Sequence, residues 1–105
     1  MILRLVRFTL NDGAEPEFMA FSRRRVRDMA ANVDGLVDAR LARRMEGKRA
    51  VVLAMTRWRD YEAIKDFFGD DIDKGRQWDP RGEWVASTVI EHLEDELVAE
   101  GSPAA

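Results

Sequence analysis

The sequence predicts an α+β domain whose strands and helices follow the order β-α-β-β-α-β. Four stretches have the alternating or β-branched residues of strands, two segments have apolar residues at helical spacing, and turn residues separate them. The 105 residues are enough for one domain with a modest core. We assign residues 1–94 to this domain and residues 95–105 to an acidic, flexible tail.

The first strand is predicted over residues 1–10 and the first helix over residues 16–33. Alternate residues of the strand share one face: Ile2, Arg4, Val6, Phe8 and Leu10. A turn over residues 11–13 ends the strand, and Pro16 is suited to the first turn of a helix. Apolar side chains recur at helical spacing in this helix, which predicts a buried stripe.

The next two strands, over residues 36–45 and 50–58, are predicted to form a hairpin because the segment "EGK" between them is a turn. Charged residues alternate through the first of these strands, which is typical of an edge strand. The second is the most apolar strand of the chain, and we expect it at the centre of the sheet.

Asp60 is suited to cap a second helix, predicted over residues 61–68. Residues 69–82 are rich in acids and glycine and predict a loop, and a fourth strand follows over residues 84–93. This order gives the ferredoxin-like fold, a four-stranded antiparallel sheet with both helices on one face. The other face would remain apolar and uncovered, so we expect a homodimer that packs through the sheet faces.

Two features bear on this dimer. The pattern leaves open which set of first-strand residues is uncovered: Leu3 and Leu5, or Ile2, Val6 and Phe8. The net charge is positive over residues 1–59 and negative over residues 60–105. This division indicates either two solvated surfaces of opposite sign or two halves that face each other across the subunit interface.

The composition excludes several classes of protein. The absence of cysteine excludes disulfides and thiolate chemistry. A net charge of −3 gives no reason to expect nucleic-acid binding, and the acids of the 69–82 loop are typical of a solvated surface, so we predict no metal site. No segment approaches the roughly 20 apolar residues of a membrane span. The N-terminus lacks the apolar core of a signal peptide, so we expect a cytoplasmic protein with no membrane partner.

Four short segments add a resemblance to a known family. They are the turn "VDGL", the strand-to-helix corner "TRWRDYEAIKDF", the acidic "GDDI" and the closing "VIEHLE", which contains His92. Together they resemble the antibiotic biosynthesis monooxygenase-like family of dimeric α+β barrels over residues 1–94. The resemblance implies that Trp58 packs beneath the second helix, and Arg57 then points to the opposite side of its strand.

The resemblance also implies a choice of activities. Some members oxidise quinol-like aromatic compounds with dioxygen and no cofactor, some degrade haem, and many have no known reaction. The haem-degrading members use an asparagine, a tryptophan and a histidine where this chain has Val6, Phe67 and Gln77, so we do not predict haem degradation. We predict a small cofactor-independent monooxygenase that acts on an aromatic hydroxy compound. The alternative is a non-catalytic ligand-binding or accessory module of the same fold.

Such an oxygenase needs an apolar cavity and a polar group that stabilises the substrate anion. The candidate catalytic residues are His92, the only histidine and the ready base near neutral pH, and Arg57. The candidate substrate-binding residues are Arg7, Tyr61, Phe67, Trp78 and Trp84. Alternation places these fourth-strand residues on one face, the predicted pocket wall: Trp84, Ala86, Thr88, Ile90 and His92. Two alternatives stay open, namely that His92 bonds a backbone group at the strand end and that Trp78 only anchors its loop.

Overall fold

The computed structural model describes residues 1–74, 79 and 82–102, and it has the predicted element order. The predicted contributions of Gln77 and Trp78 lie outside the described residues. The elements are β1 (Ile2–Leu10), α1 (Glu15–Asn32), β2 (Leu36–Glu46), β3 (Arg49–Trp58), α2 (Tyr61–Phe68) and β4 (Val85–Glu94). Each boundary lies within one residue of the predicted one. None of the described helices is long and apolar enough to cross a membrane.

The four strands form one antiparallel sheet in the order β2-β3-β1-β4. This order confirms the predicted edge position of β2 and the predicted central position of β3. β1 is the other central strand, and it pairs with β3 on one side and with β4 on the other. On each face of the sheet, a residue of β1 therefore lies between a residue of β3 and a residue of β4.

The two helices pack on the face of the sheet that carries the even-numbered residues of β1. Ile2 and Trp58 pair in register and are buried against Met29 of α1 and Ile64 of α2. A second cluster lies further along β1, where Phe8 meets Phe18 of α1. This arrangement settles the alternative left open by the sequence, because Ile2 and Phe8 face the helices. We call this side the helix-covered face.

The opposite side is the open face, which carries Leu3, Leu5, Leu53, Met55, Val89 and Leu93. Val89 is 54% exposed and Leu93 is 45% exposed. Charged side chains from the same register rows, including Arg7 and Arg57, lie beside these apolar residues. The open face is therefore an apolar surface with charged neighbours.

Trp58 forms a packed corner where β3 ends and α2 begins. Its side chain is fully buried, its ring lies 6.1 Å from that of Phe67 and 5.8 Å from that of Phe68, and its Nε1 donates to Thr56 Oγ1 at 2.8 Å. Asp60 then caps α2 as predicted, because its carboxylate accepts from the Ala63 N–H at 2.9 Å. Trp58 is thus a core residue beneath α2.

Gly35 joins the turn after α1 to the start of α2. It has a φ of +84°, and a Cβ at this position would lie 2.4 Å from the Cβ of Ala63. Its carbonyl accepts from the Arg59 N–H at 2.8 Å. Only glycine combines this backbone conformation with so close an approach of the helix.

Candidate functional site

A cavity of about 610 Å³ lies between the helix-covered face, α1 and the segment that follows α2. Its floor is formed by Val6, Ala54 and Ile90, which are register neighbours on the three strands. Met29 lines the side towards α1, and Phe68 lines the side towards α2. Most of the lining is apolar, as a binding site for an organic molecule requires.

Arg4 brings a buried positive charge to the wall of this cavity. Only 1% of the residue is exposed. Its Nη1 donates to the Ile72 carbonyl at 2.6 Å and lies 2.8 Å from Nε2 of His92, and its Cζ lies 3.9 Å from the ring centroid of Phe68. Burial lowers the pKa of Arg4 to about 10, although the nearby carboxylate of Asp73 acts in the opposite direction. Arg4 therefore remains a cation at neutral pH.

One donor of Arg4 has no partner within the described part of the chain. Its Nε is buried and makes no hydrogen bond in the described part of the chain. A buried N–H without an acceptor lowers the stability of the fold by about 1–3 kcal/mol, so such groups are uncommon in protein interiors. Arg4 itself is one of the residues that line the cavity.

His92 lies behind Arg4, with 8% of its side chain exposed. An arginine donates and never accepts, so Nε2 of His92 must be the acceptor of this pair, and the ring proton is then on Nδ1. Nδ1 lies 3.8 Å from a carboxylate oxygen of Asp73. Burial and the charge of Arg4 lower the pKa of His92, and Asp73 opposes them. The histidine is therefore neutral at pH 7, and the lone pair of its Nε2 accepts the hydrogen bond from Arg4.

Two of the predicted aromatic residues lie one layer away from the cavity. The ring of Tyr61 is 6.3 Å from that of His92, and the residue is 40% exposed at the start of α2. Phe67 packs edge-to-face on Phe68 at 4.8 Å. Tyr61 and Phe67 therefore contact His92 and Phe68, the two side chains next to Arg4, and of these aromatic residues Phe68 lines the cavity.

Trp84 lies before β4, against α1, where its ring contacts those of Phe18 and Phe21 and its Nε1 donates to Glu17. Trp84 thus lies on the helix-covered side, as predicted with Thr88, but it is not among the residues that line the cavity. The strict alternation fails at this end of the strand, because Val85 packs on that side as well. The register shifts between Thr9 and Leu10, so that Thr9 pairs with Ser87 and Leu10 pairs with Val85. This irregularity turns Val85 towards the cavity, where Thr88 and Ile90 follow it.

The structure does not bring Arg7 and Arg57 to the cavity. Both lie on the open face, since each is the sequence neighbour of a residue that points towards the helices. Arg57 is engaged there by Asp38, with Nε 2.9 Å from both carboxylate oxygens, and by Asp95 at 3.3 Å. The hydrogen bond from Arg57 holds the pKa of Asp38 below its usual value. Arg57 is an ion-pairing residue of the sheet surface.

Asp79 fixes the start of β4 at the rim of the cavity. Its carboxylate accepts from the N–H groups of Glu83, Trp84 and Val85 at 3.2, 2.7 and 2.9 Å. Burial raises the pKa of Asp79, but these bonds favour the ionised form more strongly and lower its pKa overall. Among residues 1–74, 79 and 82–102, no group of three or more potential ligands could hold a metal ion.

Arg4 is the residue that sequence reasoning missed. The signal was present, because Arg4 is the only charged residue in the alternating set that also contains Ile2, Val6, Phe8 and Leu10. When that set is buried, the arginine is buried with it. A charge in such a position requires partners or a function.

The comparisons with known proteins agree with this fold. Solved structures are similar over nearly the whole of this chain, and three of them illustrate the similarity. A Bacillus cereus protein assigned to antibiotic biosynthesis monooxygenases is 16% identical, with a TM-score of 0.58 and coverage of 99% of this chain and 97% of that one. A variant of MhuD with two manganese protoporphyrin IX molecules bound per active site is 20% identical, with a TM-score of 0.60 and coverage of 96% and 100%.

A monooxygenase from the gene ActVA-Orf6 of Streptomyces coelicolor, in complex with nanaomycin D, is 15% identical, with a TM-score of 0.54 and coverage of 94% and 92%. At these identities the likeness shows a shared fold. A search of curated proteins found no match. The family described as "Antibiotic biosynthesis monooxygenase" matches residues 1–71, more than half of the chain. The chain therefore belongs to the antibiotic biosynthesis monooxygenase family.

Proposed function

We propose that this chain is a small monooxygenase that oxidises an aromatic hydroxy compound of the quinol type in the cavity above the sheet. The observation that carries the proposal is the buried guanidinium of Arg4 in the wall of an otherwise apolar cavity of about 610 Å³. Membership of the family and the fold shared with the ActVA-Orf6 monooxygenase support it. The family relationship alone would not name a reaction.

The reaction needs little from the protein. A phenol and dioxygen give a quinone and water: one oxygen atom enters the ring, the other leaves in water, and the substrate supplies all the electrons. The ionised phenol is the electron donor, so a group that stabilises the phenolate accelerates the first electron transfer to dioxygen. The balance requires neither a metal nor an organic cofactor, and we propose none.

Arg4 is the proposed anion-stabilising residue, since its charge is buried and therefore weakly screened. His92 and the Ile72 carbonyl hold Nη1 of Arg4, and Phe68 lies across its guanidinium. The apolar floor around Val6 excludes water from the reaction. In this scheme His92 positions Arg4 instead of removing the substrate proton, which passes to solvent through the open side of the cavity.

The histidine of this chain is poorly placed to be an axial ligand of haem. An axial ligand would need a free imidazole nitrogen that faces the cavity. Nε2 of His92 faces Arg4 and Nδ1 faces Asp73, and the chain has no second histidine. We therefore derive no step through haem.

A second candidate function is binding without catalysis. The observation in its favour is that the lone pair of the only imidazole is engaged by Arg4, so the cavity has no ready histidine base. A protein of this kind would use the same cavity and the same charge to hold an acidic ligand. Binding would then occur with no consumption of dioxygen.

One experiment separates the two functions. Dioxygen consumption is measured with an electrode for a panel of naphthols, anthrols and quinols, and binding of the same compounds is measured under nitrogen. The oxygenase proposal expects consumption above the rate of autoxidation, reduced at least tenfold in Arg4→Met. Arg24→Met, an exposed change on α1, is the matched control. Binding with no consumption across the panel would establish the binding module instead.

We also propose that the chain acts as a homodimer through the open face. The exposed apolar residues Val89 and Leu93 and the half-buried Leu3, Leu5 and Met55 support this partner, because such a surface is costly to leave in water. A second copy offers the same surface, as a two-fold interface requires. Light scattering during size-exclusion chromatography tests the dimer directly.

A further inference from the structure

The donors of Arg4 are not used evenly. The two hydrogen bonds in the described structure both come from Nη1, which reaches the Ile72 carbonyl and His92. The ring of Phe68 covers one face of the guanidinium at 3.9 Å. Nε is buried and has no hydrogen-bond partner among residues 1–74, 79 and 82–102. The remaining donor edge, formed by the N–H groups of Nε and Nη2, makes no hydrogen bond among the described residues, and Arg4 itself lines the cavity.

This edge has a definite shape. Its two N–H groups are parallel and coplanar, and they match two adjacent oxygens of a planar anion in a bidentate arrangement. A single phenolate oxygen would satisfy only one of them well. We propose that the ligand of this cavity presents two adjacent, coplanar oxygens that share a negative charge to the Nε–Nη2 edge of Arg4. The inference rests on the proposed function in using the same cavity, and it narrows the class of substrate.

Two chemical groups have this form: a carboxylate on an aromatic ring, and an ionised hydroxyl beside a carbonyl. In either case the attached ring would lie next to Arg4 along the helix-covered face. Val6 is the next residue after Arg4 on the same face of β1, roughly 7 Å further along the strand. Val6 pairs with Ala54 and Ile90, and all three line the cavity. The floor of the cavity thus offers an apolar bed for the ring.

The test compares matched naphthalene probes for binding under nitrogen, so that no turnover is needed. 2-Naphthoate and 2-naphthamide form the carboxylate pair. 2-Hydroxy-1,4-naphthoquinone, which is ionised at neutral pH, and its isomer 6-hydroxy-1,4-naphthoquinone, measured at a pH at which both are ionised, form the pair for a hydroxyl beside a carbonyl. We expect at least one two-oxygen probe to bind about tenfold or more tightly than its partner, because a charge-assisted pair of hydrogen bonds replaces a single one. The pair that shows the preference names the group.

Arg4→Lys supplies the second arm, since lysine keeps the charge but not the fork. The preference should disappear in Arg4→Lys and persist in Arg24→Lys, a control on an exposed part of α1. The Nε–H signal of Arg4 in nitrogen-15 spectra of the unchanged protein gives a readout that needs no variant, and it should shift with a two-oxygen probe. Equal affinity within both pairs, no binding of any probe, or a preference that survives Arg4→Lys would overturn the inference.

The outcomes also separate this inference from the proposed function. A clear preference without dioxygen consumption would leave the two-oxygen recognition standing and remove the oxygenase. Dioxygen consumption with simple naphthols and no preference would do the reverse.

Discussion

Arg4 of β1 and His92 of β4 are register partners, and Nη1 of the arginine lies 2.8 Å from Nε2 of the histidine. The contact works in one protonation state only. A neutral imidazole accepts from the guanidinium, whereas an imidazolium would place a second cation and a second donor against it. The other groups that face His92 are the carboxylate of Asp73 and the phenol ring of Tyr61.

Stability should therefore fall as the pH drops below 6.5. Burial and Arg4 lower the pKa of His92 from its ordinary value of 6.5, so the unfolded chain binds a proton in this range before the folded chain does. The unfolded state gains from that proton, and the free energy of unfolding decreases as the pH falls. Thermal melts of the unchanged protein and of His92→Gln across this range check the effect. The variant should lose this part of the pH dependence.

Substitutions of His92 distinguish positioning from base catalysis. His92→Gln retains an acceptor for Nη1 of Arg4, and His92→Leu does not. We expect His92→Leu to weaken binding of an anionic ligand about tenfold, and His92→Gln to retain most of it, because only the first leaves a buried donor unpaired. Ligand affinity and turnover are both measured. If His92→Gln binds normally but loses turnover, the histidine is a base and our assignment is wrong.

Replacement of Gly35 by alanine should destabilise the fold by about 2–4 kcal/mol. The new Cβ would meet Ala63 at 2.4 Å and would also occupy a left-handed backbone conformation. Gly47→Ala is the matched control, since Gly47 has a φ of +64° and a methyl group there would have nothing within 4 Å. Chemical denaturation measures the free energy of unfolding of both variants, and the difference between their losses is the cost of the clash with Ala63. Equal losses would mean that α2 moves away freely.

Asp79→Asn should destabilise the chain by about 1–3 kcal/mol at neutral pH, because the amide places donors against backbone N–H groups that now meet a carboxylate. The lowered pKa of Asp79 gives the sign of the pH effect: its contribution is complete above the ordinary value of 3.8 and is lost as the pH falls below it. Acid unfolding of Asp79→Asn and of the exposed control Asp66→Asn tests this. Identical curves would contradict it.

Leu93→Arg should separate the proposed dimer into monomers. Leu93 is 45% exposed on the open face, and an arginine there would bring a charge into the apolar part of the proposed interface, where desolvation is costly. Met45→Arg is the control, since Met45 is 58% exposed but pairs with Ala50, on the side of the sheet that faces the helices. Light scattering gives the mass of each variant. If the unchanged protein is a monomer, the proposed homodimer is wrong.

The sequence predicts the scaffold well for physical reasons that are local. Turn residues, the Asp60 cap and strand periodicity act over a few residues, so the boundaries of all six elements follow from them. The burial of Trp58 also decides which side of β3 faces the helices, and hence that Arg57 faces away. Strand alternation, together with the burial of Trp58, therefore argues against the prediction of Arg57 as a catalytic residue of the cavity.

The site is harder to predict because it depends on contacts between distant segments. The partner of Arg4 is His92, 88 residues away, and its other acceptor is the carbonyl of Ile72. The register shift near Thr9, which turns Val85 towards the cavity, leaves no mark in the alternation of β4. A charged residue in an apolar strand face was the one local sign of the site.

The alternation of β1 has a thermodynamic consequence. Arg4 and Val6 face the cavity, while Leu3 and Leu5, their neighbours in the chain, belong to the open face. A ligand that displaces β1 therefore acts on the surface through which two copies would associate. By reciprocity, the factor by which ligand strengthens association is the factor by which association strengthens ligand binding. Titrations at concentrations above and below the dimer dissociation constant would measure this coupling from both directions.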